Sequence, residues 1–344
     1  MNSRKILIVT SYDSTFVLAD IRILKQHFSK DESGEGKVRV IDFTGIRNSL
    51  RDVLRTIVKL FCGILWADLT YIWFGDFRAF VSVFFSRILM KSTCVMIGGY
   101  EVAKVPQYNY GGLLGSSIFL KYTLQKCDKI LCPSDFTKVE INKFYPNKKT
   151  MTIPLGIKNE DSIHLNKKDK SKKENLIVTV ANAVGILNQT YKLKGLMTFA
   201  RAAKICTDLR FVIIGKYGEK VRKELQNISS SLEFTGHISS EEVKKYLCKA
   251  KVYCQISYRE SFGLAIAEAM YCKATPVVTM RGAIPELVGE TGYYVPFDDP
   301  GATAAAIKKA INFPKGQQTR ERIVNKFLLE KREKLLTQEI ESLL

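Results

Sequence analysis

No two of the eight cysteines, Cys62, Cys94, Cys127, Cys132, Cys206, Cys248, Cys254 and Cys272, are spaced C-x-x-C. That absence argues against a structural zinc site. Most of them lie in apolar settings such as Lys251-Val252-Tyr253-Cys254-Gln255-Ile256 and read as small buried hydrophobes of a reducing compartment. No uninterrupted apolar run reaches the roughly 18 residues needed to cross a bilayer. After Met1-Asn2-Ser3-Arg4-Lys5 the run Ile6-Leu7-Ile8-Val9 is too short for the core of a signal peptide, so the expected place is the cytoplasm. There is no internal repeat, no Asp-x-Asp pair to hold a divalent cation, and no low-complexity stretch except one rich in lysine. Acidic residues are also scarce: 34 Asp and Glu against 53 Lys and Arg leave +19. Such an excess favours polyanions, whether nucleotide phosphates, nucleic acid or an anionic membrane face.

What is present is an ordinary globular balance in 344 residues, a length that favours two domains. Short apolar runs alternate with segments of helical period, the pattern of βαβ units feeding a parallel sheet. The first half offers strands at Ile6–Val9, Val38–Ile41, Leu69–Trp73, Thr93–Ile97, Lys129–Leu131 and Thr150–Ile153. From His164 to Glu174 the chain is a run of charge without apolar period, read as a solvated linker over 158–174. The series restarts with Leu176–Val180, Phe211–Ile214, Leu232–Phe234, Val252–Ile256, Pro276–Val278 and Tyr293–Val295. The expected fold class is therefore α/β, with two tandem doubly wound (Rossmann-like) parallel-sheet domains, 1–157 and 175–318, facing a central cleft. In such sheets ligands sit beyond the carboxyl ends of the strands. The charged helical tail from Thr319 to Leu344 is expected to pack back on the first domain.

The most informative stretch is Ser257-Tyr258-Arg259-Glu260-Ser261-Phe262-Gly263-Leu264-Ala265-Ile266-Ala267-Glu268-Ala269-Met270, where a buried strand runs into a helix. Ser261 reads as the N-cap, and Gly263 lets the backbone approach a ligand. A helix opening here presents unpaired N–H groups and a positive dipole end, a site for phosphate. Along one helix Glu260 and Glu268 would be about 80° apart and about 12 Å distant, too far to share a task. Glu268 lies among Leu, Ala, Ile and Met and needs a partner. Ligand hydroxyls would suit both acids, and so would dipole pairing and an ordinary ion pair.

This stretch resembles the signature of the group 1 glycosyltransferases, the retaining, sucrose-synthase-like family with the glycosyltransferase B architecture: Glu, seven residues, Glu, with Phe-Gly after the first acid. The resemblance continues through Phe234-Thr235-Gly236-His237-Ile238, Ala274-Thr275-Pro276-Val277-Val278, Gly282-Ala283-Ile284-Pro285-Glu286 and Thr291-Gly292-Tyr293. It is strong from about Ile177 to Phe297. In the first half it rests on Pro133-Ser134-Asp135-Phe136 and Ile153-Pro154-Leu155-Gly156-Ile157.

The resemblance implies transfer with retention of anomeric configuration, and the expected reaction is hexosyl transfer from a nucleotide diphosphate sugar to a hydroxyl of a glycan or lipid-linked acceptor, with no metal, no cofactor and no nucleic acid called for by the residues. The resemblance gives Glu260 the donor-sugar hydroxyls, Glu268 the nucleotide ribose, and Lys194, in the pair Lys194-Gly195, the diphosphate. Ser261, Phe262, Gly263 and Leu264 line the donor, and Gly215 and Ile238 border the nucleotide. Asn182 stands where relatives carry an Arg, in front of a long loop Ala183–Lys192, and Lys192 is the candidate to supply that charge. Two further departures are Ser11-Tyr12-Asp13-Ser14-Thr15 in place of a paired-glycine loop, and Gly98-Gly99-Tyr100-Glu101 where relatives have a His. Gly99, Tyr100 and Glu101 are the acceptor-side candidates. His27, His164 and His237 fall elsewhere, so no imidazole catalyst is indicated. Two other readings of the chain are a nucleotide-sugar epimerase of the same fold and a non-catalytic basic binder of nucleic acid. The missing His speaks against the first, and the lack of aromatics in the lysine run against the second.

Arg47, Arg51, Arg55 and Lys59 recur every four residues, with Leu50, Val53, Leu54, Ile57, Val58, Phe61, Ile64, Leu65 and Trp66 between them. Such a helix either lies on an anionic membrane, placing the protein peripherally on its inner face, or packs in the core with a solvated basic edge.

Overall fold

Strands buried on both faces need continuous apolar runs, and these runs generate two six-stranded sheets. The computed structural model describes residues 4–10, 14–28, 37–43, 50–112, 117–159, 173–182 and 189–344. In the first sheet the strands are β1 (Ile6–Thr10), β2 (Val38–Asp42), β3 (Leu69–Trp73), β4 (Ser92–Met96), β5 (Lys129–Cys132) and β6 (Thr150–Thr152). They pair in parallel in the order β2-β1-β3-β4-β5-β6. The second contains β7 (Glu174–Val180), β8 (Arg210–Ile214), β9 (Glu233–Gly236), β10 (Ala250–Gln255), β11 (Thr275–Thr279) and β12 (Tyr293–Val295), ordered β9-β8-β7-β10-β11-β12. All twelve expected strands form. Their ends move by one or two residues, as where Thr93–Ile97 becomes Ser92–Met96. In the second sheet the order reverses between β7 and β10, and at such a switch point the carboxyl ends of the strands splay apart to admit a ligand.

The chain divides into two units, one of residues 1–104, 111–156 and 330–344, the other of 105–110 and 157–329. The second unit runs on from Ile157 through Leu329, and the charged tail enters the first unit only at Glu330. The cause is the helix Gly316–Lys326, which stays with the second unit: Arg320 Nη1 donates to the Tyr271 carbonyl at 2.6 Å and Arg322 Nε to that of Leu287 at 2.6 Å. Most of the expected linker, 160–172, lies outside the described residues, and its last member, Glu174, already opens β7.

The returning helix Leu329–Glu341 is fixed to the first unit by a buried ion pair. Arg332 Nε and Nη2 each donate to Asp20 at 2.7 Å, and Nη1 donates to the carbonyls of Ile153 and Pro154 at 2.9 Å. Tyr71 Oη at 2.6 Å and Trp73 Nε1 at 3.0 Å complete the shell of Asp20. Both charged side chains are almost fully removed from water, which is tolerable because each is paired with the other and hydrogen-bonded to further groups.

The basic helix is present over Leu50–Trp66, with Arg47 outside the described residues. It buries a narrow stripe, Thr56, Leu60, Gly63 and Ile64. Leu54, Val58 and Leu65 remain 62%, 60% and 49% exposed, beside the exposed Arg51, Arg55 and Lys59. The core-packed and the surface readings thus each describe one side of the same helix. Exposed apolar groups continue on the helices Phe77–Ile88 (Phe84, Ile88) and Ile118–Lys126 (Ile118, Phe119), which are joined by ring contacts such as Phe61 to Phe85 at 5.2 Å and Phe80 to Phe119 at 4.9 Å. Among the described residues no helix is long and apolar enough to cross a membrane.

Candidate functional site

Past the carboxyl end of β10 the chain must turn from a buried strand into a helix, and the turn is built on Glu260. Its Oε1 accepts from Lys194 Nζ at 2.7 Å, from Ser257 Oγ at 2.8 Å and from the side-chain amide of Gln255. Gln255 is itself held by Tyr253, whose hydroxyl donates to Gln255 Oε1 at 2.6 Å, and Thr279 Oγ1 donates to the Ser257 carbonyl at 2.6 Å. Tyr253, Gln255 and Ser257 are buried, so the network fixes one carboxylate oxygen rigidly. Among the described residues nothing donates to the other oxygen, Oε2.

Two glycines let the backbone close around this acid. Gly195, at φ +70°, lies against β10: a Cβ there would come within 1.9 Å of the Ile256 carbonyl oxygen. The pair Lys194-Gly195 is thereby pinned beside Glu260, and the Tyr258 amide donates to the Leu193 carbonyl at 2.7 Å. Gly282, at φ +61°, would place a Cβ 2.4 Å from the Glu260 carbonyl oxygen. In both positions only glycine fits without moving backbone.

The expected N-cap at Ser261 is not formed. The helix runs Leu264–Tyr271 with Gly263 as its N-cap, at φ +95° and with no side-chain capping bond. A left-handed residue is needed to swing the chain from the Glu260 turn into the helix axis, and Gly263 supplies it at little cost. The first amides of the helix therefore carry no side-chain cap. Glu260 stands ahead of this helix, so the spacing of two acids along one helix does not apply. Phe262 is buried, its ring 5.8 Å from that of Phe327, which makes it an anchor of the turn.

Glu268 projects from the same helix, half-buried, with no donor to its carboxylate among the described residues. Burial lifts its pKa to about 7. A raised carboxylate pKa means that the folded chain binds more protons than the unfolded one between about pH 4.5 and 7, so stability falls as pH rises through that window. The shift corresponds to roughly 3 kcal/mol. Glu268→Gln is accordingly expected to be the more stable protein at pH 8 and equal to wild type near pH 4, with thermal unfolding at the two pH values as the check.

Of the other expected residues, Gly215 sits at the end of β8 at φ +132°, where a Cβ would lie 2.2 Å from the Ala181 carbonyl oxygen. Asn182 joins the same strand ends, its Oδ1 accepting from the Lys216 amide at 3.1 Å. Ile238 is half-buried in the connection after β9. Lys192 ends a short helix with its ammonium 5.8 Å from the Tyr191 ring, whereas Lys194 is drawn to Glu260. Residues 183–188 of the preceding loop, and 11–13 of the first, lie outside the described residues.

Glu101 departs most from expectation. It is buried, its Oε1 accepting from the amides of Gly75 and Gly98 at 3.2 Å and its Oε2 from Gly99 at 2.8 Å. Burial raises its pKa, and these backbone bonds pull against the rise. The carboxylate thus serves as the internal clamp of the Gly98–Glu101 turn, while Tyr100 is exposed.

An aromatic group beside the Glu260 turn was not indicated by the sequence. Tyr258 packs on Tyr108 at 5.5 Å and Phe297 at 5.2 Å, with the Arg281 guanidinium 4.4 Å from the Tyr258 ring centroid. Tyr258 and Arg281 flank Glu260 and Gly282 in sequence, a nearness that could have signalled it. Tyr108, about 150 positions away from Tyr258, could not have been found this way.

Comparison with known proteins agrees with this geometry. Residues 179–312 match the family described as Glycosyl transferases group 1. The phosphatidylinositol N-acetylglucosaminyltransferase GPI3 subunit of Saccharomyces cerevisiae is 26% identical over 206 residues, covering 56% of this chain and 45% of that protein. The chain thus spans about half the length of the curated relatives it matches. Among solved structures, sucrose-phosphate synthase from Thermosynechococcus elongatus superposes with a TM-score of 0.75 at 17% identity, covering 99% of each chain. Anabaena Alr3699/HepE, solved with UDP and glucose, gives 0.76 at 16% identity over 98% of this chain and 100% of that one. Residues 179–312 thus match the group 1 glycosyltransferases, and the chain has the glycosyltransferase B fold of the structures it superposes on.

Proposed function

We propose that the protein is a retaining glycosyltransferase that moves a hexosyl group from a nucleoside diphosphate sugar to a hydroxyl of a lipid-linked or glycan acceptor. The observation that supports this best is the Glu260 constellation. One carboxylate oxygen is locked by Lys194, Gln255 and Ser257, the other meets no donor among the described residues, and an uncapped helix start follows. Oε2 accepts from donor-sugar hydroxyls. Lys194 and the first amides of the helix Leu264–Tyr271 take the diphosphate, whose negative charge grows as the glycosyl bond breaks. Glu268, with no donor among the described residues, accepts from the ribose hydroxyls. No divalent cation has a part in this scheme, so transfer is expected to persist in EDTA. A thermal-shift screen of nucleoside diphosphate sugars tests the reading: one donor should raise the melting temperature in EDTA, and no shift with any of them would refute it.

Ribose hydroxyls bind the ionised form of Glu268. With a pKa of about 7, affinity for the nucleoside diphosphate is expected to rise about tenfold from pH 6 to 8 in excess of any rise shown by Glu268→Gln. Calorimetric titration of both proteins measures the difference.

Lys194→Ala is expected to weaken donor binding and slow transfer together, because a charge-assisted bond to phosphate strengthens as the leaving group gains charge. Lys192→Ala, with its ammonium beside the Tyr191 ring, should cost less. Steady-state kinetics of the pair distinguish them, and a larger loss at Lys192 would make it the principal phosphate ligand.

A lipid-linked acceptor fits the exposed face of the helix Leu50–Trp66, where Leu54, Val58 and Leu65 lie beside Arg51, Arg55 and Lys59. We place this face on an anionic membrane, where each cation contributes about 1 kcal/mol. Arg51→Gln, Arg55→Gln and Lys59→Gln together are expected to abolish sedimentation with acidic vesicles at low salt, while transfer to a soluble acceptor persists. Wild-type protein that ignores such vesicles would contradict the placement.

A further inference from the structure

Cys248 and Cys272 are 24 positions apart, yet their sulfurs lie 2.7 Å from each other. Cys248 belongs to the last turn of the helix Ser240–Lys249, and Cys272 is the C-cap of the helix Leu264–Tyr271 that carries Glu268. Both are half-buried, whereas Cys94, Cys127, Cys132, Cys206 and Cys254 are buried. Where the two helices end, the Lys173 ammonium donates to the carbonyls of Ala250 and Cys272 at 2.7 Å and of Leu247 at 3.3 Å. A fixed cation thus stands beside two touching sulfurs, the setting that favours a thiolate.

We propose that Cys248 and Cys272 form a reversible dithiol–disulfide site on the helix that carries Glu268, with a hydroperoxide as oxidant. The Cys248 thiolate attacks the peroxide oxygen, the O–O bond breaks, and Cys248 becomes a sulfenic acid while hydroxide leaves. The Cys272 sulfur then attacks the Cys248 sulfur, the S–O bond breaks and water leaves. Overall two thiols and hydrogen peroxide give one disulfide and two waters, and an external dithiol returns both protons and both electrons. The two cysteines are prepared for different parts. The hydrogen bond between the two sulfurs, helped by Lys173, brings Cys248 down to about 7, while the same bond and burial push Cys272 up. Cys248 is thus the attacking sulfur and Cys272 the resolving one. Because the Cys272 amide donates to the Glu268 carbonyl at 3.0 Å, the new bond would tie the end of that helix to its neighbour.

The test uses the full chain, treated with hydrogen peroxide, alkylated without reduction, and mapped by mass spectrometry. Expected is a fall from eight free thiols to six, a single peptide pair linking Cys248 to Cys272, and full recovery on addition of dithiothreitol. Cys272→Ser should instead leave a sulfenic acid at Cys248 that dimedone traps, and Cys248→Ser should leave Cys272 alkylatable. Wild-type Cys248 that oxidises to the sulfinic acid with Cys272 still free would overturn the proposal, as would two thiols that stay alkylatable. The readout is chemical and independent of glycosyl transfer, so its failure leaves the functional reading untouched.

Discussion

Glu260→Gln is expected to lower kcat/KM about 10²–10³-fold, the usual consequence of removing one preorganised group that acts at the reacting centre. The substitution keeps size and shape, and Oε1 can still accept from Gln255 and Ser257, so the fold should melt within a few degrees of wild type. What is lost is charge. Lys194, held at 2.7 Å by the carboxylate, no longer has its counter-ion, and the amide that replaces Oε2 is a donor where sugar hydroxyls need an acceptor. Affinity for the free nucleoside diphosphate should not fall, because Lys194 keeps its charge and is freed from its counter-ion while the sugar contact alone is lost. Kinetics with calorimetry separates the two, and a variant with wild-type kcat would remove Glu260 from the chemistry.

Arg332→Met is expected to destabilise the first unit by about 3–5 kcal/mol, since it leaves Asp20 buried without its counter-ion. At about 2–4 °C per kcal/mol for a body of this size, the melting temperature should fall by about 10 °C. Tyr71 and Trp73 still donate to Asp20, but two neutral donors do not replace a bidentate guanidinium. Removing both charges, as Asp20→Leu with Arg332→Met, should restore most of the loss, because the desolvation cost disappears with them. A single Arg332→Met variant that melts like wild type would show that the pair contributes nothing.

The sheets were legible because parallel strands buried on both faces leave short apolar runs such as Ile6-Leu7-Ile8-Val9 and Phe211-Val212-Ile213-Ile214. The return of the tail was not. Gly316–Lys326 and Leu329–Glu341 are both charged helices, and what separates them is the ends of their arginines: Arg320 and Arg322 reach carbonyls of the second unit, Arg332 a carboxylate of the first.

At the candidate site, Glu260, Gly263 and Glu268 stand out in the sequence because they belong to one continuous motif, and Lys194-Gly195 because it is a Lys-Gly pair at a helix start. Their supports were missed. Tyr253, Gln255 and Ser257 alternate along a strand end and look like ordinary strand positions until the backbone turns Glu260 back on them. Ser261 was misjudged because a Ser-Phe-Gly sequence offers two capping residues, and only the left-handed φ of Gly263 decides between them. Glu101 looked available because its clamp is made of backbone amides, which no residue letter announces.

The most direct test of glycosyl transfer is to incubate the wild-type protein in EDTA with a panel of nucleoside diphosphate sugars and a set of glycan and lipid-linked acceptors. Released nucleoside diphosphate is measured, and the anomeric configuration of the glycosylated product is read by NMR. One donor should be consumed, with the product keeping the donor's anomeric configuration and Glu260→Gln nearly inert. An inverted product, or no donor consumed with any acceptor offered, would contradict the account.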